Sequence, residues 1–247
     1  MRCTKPTQGQ RLDTFSESPS AVPTIQARRR AGAALGYAAV VLIVDTLAKN
    51  RVEFVIDWDL FNWWLGRHTW VGPRFDLFEF TFWFVIPMLY CLPNLDWGYF
   101  GVRRWRRRDL LMLAAIGVLG ALALFLIPLF PSLRNTYHGL HAASSAAKWR
   151  FLAGHLVWLL SWLPGWEFLH RYFLMTRLRL AWPRYGWLAI PILETAYHLQ
   201  KPGIEAAGMA LLSALLCLWT LRTSNVVLPF LAHLLIEVAL LGFLLLM

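Results

Sequence analysis

The sequence predicts an all-α fold, a polytopic transmembrane helical bundle with about seven spans and with six to eight compatible with the pattern. Hydrophobic residues make up 58% of the 247 positions and charged residues only 15%, whereas about a quarter of the residues in soluble domains are charged. Apolar runs of about 20 residues, the length that crosses the bilayer core as a helix, recur along the chain. This composition excludes soluble hydrolases.

The chain divides into a polar amino-terminal segment and a series of apolar runs. Residues 1–30 are rich in Ser, Thr and Pro and end in three arginines, which predicts a disordered basic tail. Residues 51–70 carry too many charges to span, but their Trp and Phe side chains suit the membrane interface. The predicted spans are residues 31–48, 75–93, 110–131, 150–176, 184–200, 204–222 and 226–246.

The charge pattern concerns topology and partners. The net charge is +10, but the basic residues lie between the apolar runs, which is typical of topology signals and not of a nucleic-acid surface. Their bias predicts an odd number of spans with a cytoplasmic amino terminus. The expected location of this multi-pass protein is a bacterial cytoplasmic membrane. The basic run 102–109 is also a candidate contact for anionic membrane lipid. The oligomeric state stays open.

The candidate functional residues form three polar pairs in the last four apolar runs, each with a spacing of four that places both members on one helix face. Because an ionisable side chain at membrane depth costs at least ~2.5–3.5 kcal/mol, such residues need a partner or a function. Each pair alone is compatible with a structural ion pair or a packed histidine, but the three together predict one shared site. The pairs are Glu167 with Arg171, Glu194 with His198, and His233 with Glu237.

The order of these pairs resembles the CPBP intramembrane endopeptidases, which include the CAAX prenyl proteases and the bacteriocin-processing or self-immunity (Abi) proteins. The family pattern is Glu-Glu-x-x-x-Arg, then Phe-x-x-x-His, then His-x-x-x-Asn or Asp. Here residues 166–171 read WEFLHR, residues 194–198 read ETAYH, and residues 233–237 read HLLIE after the segment TLRTSNVVLP. The resemblance covers about 150–246, so residues 31–149 are expected to be amino-terminal spans and 150–247 the CPBP-like catalytic helices.

Three positions depart from the family pattern. Trp166 stands where the family has its first glutamate, usually the residue that activates the water. Glu194 replaces the Phe of the second motif, and Glu237 replaces the terminal Asn or Asp. The first departure removes the expected general base, although Glu194 could restore a carboxylate beside His198.

The resemblance implies an intramembrane glutamic peptidase that hydrolyses a peptide bond of a membrane-associated or prenylated substrate. In this hypothesis Glu167 or Glu194 acts with His198 on the water, Arg171 holds the carboxylate ionised, and His233 donates to the oxyanion while Glu237 fixes its tautomer. No cofactor or metal is expected, and zinc held by the Glu and His residues is the alternative. A catalytically inactive scaffold or immunity protein and a proton-coupled carrier also stay open.

Overall fold

The computed structural model describes residues 24–49, 75–101, 105–137 and 143–246, and these ranges contain helices and connecting turns without a strand. The helices are α1 (Ile25–Lys49), α2 (Leu77–Asn94), α3 (Arg107–Leu124), α4 (Pro131–Thr136), α5 (Ser145–Glu167), α6 (Met175–Ala181), α7 (Ala189–His198), α8 (Gly203–Thr223) and α9 (Val227–Leu246). The all-helical class predicted from the sequence is confirmed for this part of the chain.

Two wide π-helical turns interrupt the regular helices. One occupies Phe80–Val85 within α2, and the other occupies Phe168–Leu174, where it joins α5 to α6 without a break. A π turn holds one residue more than an α turn, so it changes which side chains share a face, and such turns are frequent at functional sites. The second turn carries His170 and Arg171.

Side-chain caps define where several helices begin. Asp76 accepts a hydrogen bond from the backbone N–H of Glu79 at 2.9 Å, and Ser144 accepts one from Ala147 at 3.3 Å. The Asn225 side chain accepts from the N–H of Leu228 at 2.9 Å and donates to the carbonyl of Gly101 at 2.7 Å. Asn225 therefore caps α9 and also fixes the start of this helix against the turn that precedes α3.

The helices pack as neighbouring pairs around a buried aromatic core. α7 lies against α8, α9 against α3, and α1 against α6, while α5 packs on the π turn of α2. Gly165 permits the last contact, because a Cβ at this position would lie 2.9 Å from the Cβ of Trp83. Trp83 and Trp166 are both 1% exposed, and their ring centroids are 5.2 Å apart.

Among the described residues, five helical segments are long and apolar enough to cross a membrane. The chain is therefore an integral membrane protein by composition, but about seven spans are not confirmed. The five are Ile25–Leu47, Leu77–Asn94, Arg107–Leu129, Gly203–Thr223 and Val227–Leu246. The predicted span 150–176 falls in the continuous helical run from Ser145 to Ala181, which carries charged residues along its length. The predicted span 184–200 contains only a short 3-10 turn and the ten residues of α7, which are too few to cross the bilayer core.

The amino-terminal predictions meet the structure only in part. α1 begins at Ile25, and the Thr24 hydroxyl accepts a hydrogen bond from the N–H of Ala27 at 3.1 Å. Arg28, Arg29 and Arg30, expected in the tail, are therefore helical. Residues 1–23 of that tail, the interfacial segment 51–70 and residues 102–104 of the basic run lie outside the described residues.

The close contact at Gly165 generates a stability prediction. Gly165→Ala should lower the free energy of unfolding by about 1–3 kcal/mol, because the added methyl group overlaps Trp83 and Phe84. Gly36→Ala in α1 is the matched control, since no atom lies within 4 Å of its Cβ position. Thermal unfolding of the two purified variants in detergent checks this, and equal melting temperatures would show that α5 and α2 do not pack this closely.

Candidate functional site

The centre of the candidate site is an ion pair between α7 and the π turn after α5. Nη1 of Arg171 donates to Oε1 of Glu194 at 2.7 Å, and Nη2 donates to Oε2 at 3.0 Å. Both side chains are 0% exposed. A bidentate pair of this kind aligns the guanidinium and carboxylate planes, and it neutralises two charges that could not be buried separately.

Arg171 also touches groups on α5 and α8. Its Nε lies 3.5 Å from Oε2 of Glu167, and its two terminal nitrogens lie 3.4 Å from Sγ of Cys217 and 3.5 Å from Oγ of Ser213. The guanidinium is therefore shared by two carboxylates and reaches across to α8. This arrangement ties three parts of the carboxyl-terminal region to one positive charge.

Glu167 is the bridge from this ion pair to the last helix. Its Oε1 lies 2.7 Å from Nδ1 of His233, and the side chains of the two residues are 1% and 7% exposed. Nε2 of His233 lies 3.8 Å from Oε1 of Glu237, too far for a direct hydrogen bond. The carboxylate that contacts His233 closely is thus Glu167, whereas the sequence hypothesis gave this role to Glu237.

Glu194 has a second neighbour in His170. Nδ1 of His170 lies 2.8 Å from the carbonyl of Trp166 and 3.4 Å from Oε1 of Glu194. Because a carbonyl oxygen can only accept, Nδ1 carries the proton and Nε2 is an acceptor when the ring is neutral. In the described part of the chain, Nε2 of His170 is buried without a hydrogen-bond partner.

His198 is placed differently from the other site residues. Its Nδ1 bonds to the carbonyl of Glu194 on its own helix at 2.8 Å, and its ring centroid is 5.7 Å from that of Trp166. Among the hydrogen bonds of the described residues, none joins His198 to a carboxylate. The spacing of four between Glu194 and His198 therefore does not produce a side-chain pair, because Glu194 points to Arg171 instead.

A series of polar groups continues from His233 towards the turn between α7 and α8. Lys201 pairs with Glu205 at 2.7 Å, and Glu205 and Glu237 both act electrostatically on the Tyr137 hydroxyl. Burial, with Glu205 and Glu237 as additional causes, raises the pKa of Tyr137. Side-chain exposure falls from 41% at Lys201 through 19% at Glu205 and 18% at Glu237 to 7% at His233. The series thus leads from an accessible turn to the buried pair.

The tautomer of His233 determines what this arrangement can do chemically. When Glu167 is ionised it can only accept a hydrogen bond, so Nδ1 of His233 donates to it and Nε2 keeps its lone pair. An imidazole held in this way by a carboxylate can take a proton from water, and the carboxylate then stabilises the imidazolium. The described residues hold no group of three or more His, Cys, Asp or Glu side chains arranged to bind a metal ion.

Sequence reasoning missed several residues that the structure places at or beside the site. Ser213 and Cys217 contact Arg171, and their spacing of four within the apolar run of α8 was the available signal. His170 was visible beside Arg171 but had no partner at helical spacing. Asp45 of α1 accepts a hydrogen bond from the Tyr197 hydroxyl at 2.5 Å. The available signal for Asp45 was its position, since a carboxylate within an apolar run is costly.

The fold and the site together define a membrane-embedded helical protein with a buried carboxylate, arginine and histidine cluster. Residues 148–239 match the family model of the type II CAAX prenyl endopeptidase Rce1-like proteins. The match agrees with the family resemblance of the sequence motifs, and the matched region contains all six predicted site residues. The match covers less than half of the chain. No curated protein and no solved structure matched the chain.

The ion pair at the centre of the site generates a second prediction. Arg171→Met should lower the free energy of unfolding by about 3–5 kcal/mol, because Glu194 would stay buried without its counter-charge. The double variant Arg171→Met with Glu194→Met removes both charges and should recover much of this loss. Chemical unfolding of the purified proteins in detergent measures both effects.

Arg179→Met is the control for this experiment, since Arg179 lies on α6 and is only half-buried. It should leave stability nearly unchanged. A single variant Arg171→Met as stable as the parent protein would contradict the buried pair, and so would a double variant that is no better than the single one.

Proposed function

We propose that the protein is an intramembrane endopeptidase that hydrolyses a peptide bond of a membrane-associated substrate with a CAAX-type prenylated end. The observation that supports it most directly is the 2.7 Å contact between Glu167 and His233 in a buried setting within the family-matched region. A buried carboxylate and imidazole in contact are a recurring arrangement for activating a nucleophile.

In the proposed first step, Nε2 of His233 takes a proton from a water molecule as the water oxygen attacks the peptide carbonyl carbon. Glu167 accepts the hydrogen bond from Nδ1 and stabilises the positive charge that forms on the ring. His233 then returns the proton to the leaving amine as the C–N bond breaks. One water proton reaches the leaving nitrogen through His233 and the other stays on the new carboxyl group. The products are therefore a carboxylic acid and an amine, which become a carboxylate and an ammonium when that second proton passes between them.

Arg171 and Glu194 have supporting roles in this proposal. Both oxygens of Glu194 accept hydrogen bonds from the guanidinium, and a carboxylate held in this way is a poor base. Glu167 makes only a longer contact with Arg171, 3.5 Å from Nε to its Oε2, and its Oε1 contacts His233. We therefore assign the carboxylate role to Glu167, and we assign Glu194 to holding Arg171 in place.

His198 is assigned the second contact to the water, as the family resemblance implies. Its Nδ1 is fixed by the carbonyl of Glu194, so Nε2 of the neutral ring can accept a hydrogen bond. Glu237, Tyr137 and Glu205 are assigned to water access, because they form the polar series that ends at His233. Hydrolysis in an apolar surrounding needs such a route, since water is scarce at membrane depth.

The catalytic assignment gives a third prediction. Glu167→Gln and His233→Ala should each lower kcat by about 10²–10⁴-fold, because each removes one half of the general-base pair. His198→Ala should have a smaller effect. The measurement uses the purified full chain in lipid nanodiscs and a fluorogenic peptide that ends in a CAAX sequence with a farnesylated cysteine.

Two controls make the result specific. His155→Ala removes a histidine from α5 about three turns before Glu167, and it should leave kcat unchanged. The same peptide without its farnesyl group tests whether the lipid is recognised. Unchanged turnover in both Glu167→Gln and His233→Ala would refute the assignment, and loss of activity in His198→Ala alone would move the base to that residue.

A second candidate function is a catalytically inactive family member that binds a membrane peptide without cutting it. Trp166 favours it, because its indole occupies the position of the first family glutamate and is 1% exposed among Trp83, Tyr197 and His198. An indole in place of that carboxylate cannot take a proton from water.

This candidate gives a fourth prediction. The parent protein should bind a photoreactive form of the farnesylated peptide without releasing product, and Trp166→Glu should gain cleavage because it restores a carboxylate beside His198. Trp166→Gln is the matched control, because glutamine has nearly the same shape as glutamate but no carboxylate that could act as a base. Cleavage of the farnesylated peptide by the parent protein would exclude an inactive family member.

A further inference from the structure

A cavity of about 410 Å³ opens between α1 and the turn that joins α6 to α7. Its wall is apolar and includes Leu35 of α1, Leu178 and Ala181 of α6, and Ala189 at the start of α7. Leu178 lies seven residues after Arg171, about 10 Å along a helix. The cavity is thus separate from the carboxylate and histidine cluster.

The local backbone gives this cavity a fixed shape. The N–H of Trp182 bonds to the carbonyl of Leu178 at 2.8 Å, and the N–H of Gly186 bonds to the carbonyl of Trp182 at 2.8 Å. Gly186 is needed there, because a Cβ would lie 2.5 Å from the carbonyl oxygen of Leu178. The turn is therefore pinned to the end of α6 and forms one side of a preformed site.

Two arginines line the mouth of the cavity. Arg28 lies in the first turn of α1 and Arg184 lies in the turn after α6, and both side chains are exposed. The Arg184 guanidinium rests over the ring of Tyr185 at 5.0 Å, which holds it near the opening. The described residues that line this cavity include no Asp or Glu, so two positive charges face one apolar space.

The aromatic residues of the turn indicate where the cavity lies relative to the bilayer. Trp182 and Tyr185 also line it, and they are 41% and 59% exposed. Exposed Trp and Tyr beside basic residues at the ends of membrane helices are typical of the headgroup level. An apolar wall below two guanidinium groups at this level matches the chemistry of an amphiphile with an anionic head.

We propose that this cavity binds one anionic phospholipid, with its phosphate between Arg28 and Arg184 and part of an acyl chain along Leu35 and Leu178. A soluble phosphate would leave the apolar wall unused. A zwitterionic phospholipid would bring its own cation towards two guanidinium groups. The inference does not depend on the proposed peptidase activity, because it concerns binding at another place on the molecule.

The test uses the full-length purified protein and native mass spectrometry, with phosphatidylglycerol and phosphatidylcholine of equal chain length as the probes. The parent protein should retain one phosphatidylglycerol with clear preference over phosphatidylcholine. Arg28→Gln with Arg184→Gln should weaken this binding by about 30-fold, the usual contribution of two cations at a membrane surface. Inorganic phosphate at the same concentration should not displace the lipid.

Two further variants separate a built site from general attraction to the surface. Arg29→Gln with Arg179→Gln removes the same charge from α1 and α6 but leaves the cavity lining intact, and it should retain the bound lipid. Ala189→Phe keeps both arginines and fills the cavity, so it should lose the lipid. Equal binding by the two double-arginine variants, unchanged binding by Ala189→Phe, no preference over phosphatidylcholine, or displacement by phosphate would each overturn the proposal.

Discussion

The buried guanidinium of Arg171 is the constraint on which the site depends. It faces Glu194 through two hydrogen bonds and Glu167 at 3.5 Å, and all three side chains are at most 1% exposed. In a medium of low dielectric constant, none of these charges is tolerable without the others. The π turn that carries Arg171 and the helices that carry the two glutamates are therefore positioned by one electrostatic requirement. His233 joins this arrangement because Oε2 of Glu167 faces Arg171 and leaves Oε1 to contact the imidazole.

The sequence singled out polar residues that the structure brings close together, among them Glu167, Arg171, Glu194 and His233, but it did not predict how they pair. A spacing of four indicates only that two side chains lie on the same helix face. In an isolated helix such side chains are neighbours, so a direct contact is expected. Glu194 instead reaches Arg171 on another element, and His198 bonds to the backbone carbonyl of Glu194 on its own helix. The π turn at Phe168–Leu174 has no recognisable sequence signal, and it determines where Arg171 points. Tertiary charge pairing thus overrode the local pattern.

The helical class followed directly from the apolar runs, whereas the number of spans did not. The five segments that are long and apolar enough coincide with predicted runs. The predicted span 184–200 was too long, because α7 itself covers only ten residues. The apolar residues before it form a turn around Pro183 and Gly186, which separates α6 from α7. The start of α1 was misjudged for a different reason. Three consecutive arginines suggest a solvated tail, but their long side chains can extend from a helix end to the polar surface.

Trp166 shows how far the site depends on residues outside the family-matched region. Its indole packs on Trp83 of α2 and on Tyr197, and Tyr197 in turn donates to the buried carboxylate of Asp45 in α1. Asp45 and Trp83 both precede residue 148, where the family match begins. Trp166 is therefore packed among aromatic rings. A carboxylate at the same position would instead need polar partners or water. The amino-terminal helices form one wall of the site, so residues 148–239 alone would expose Trp166 and leave Tyr197 without the carboxylate that holds it.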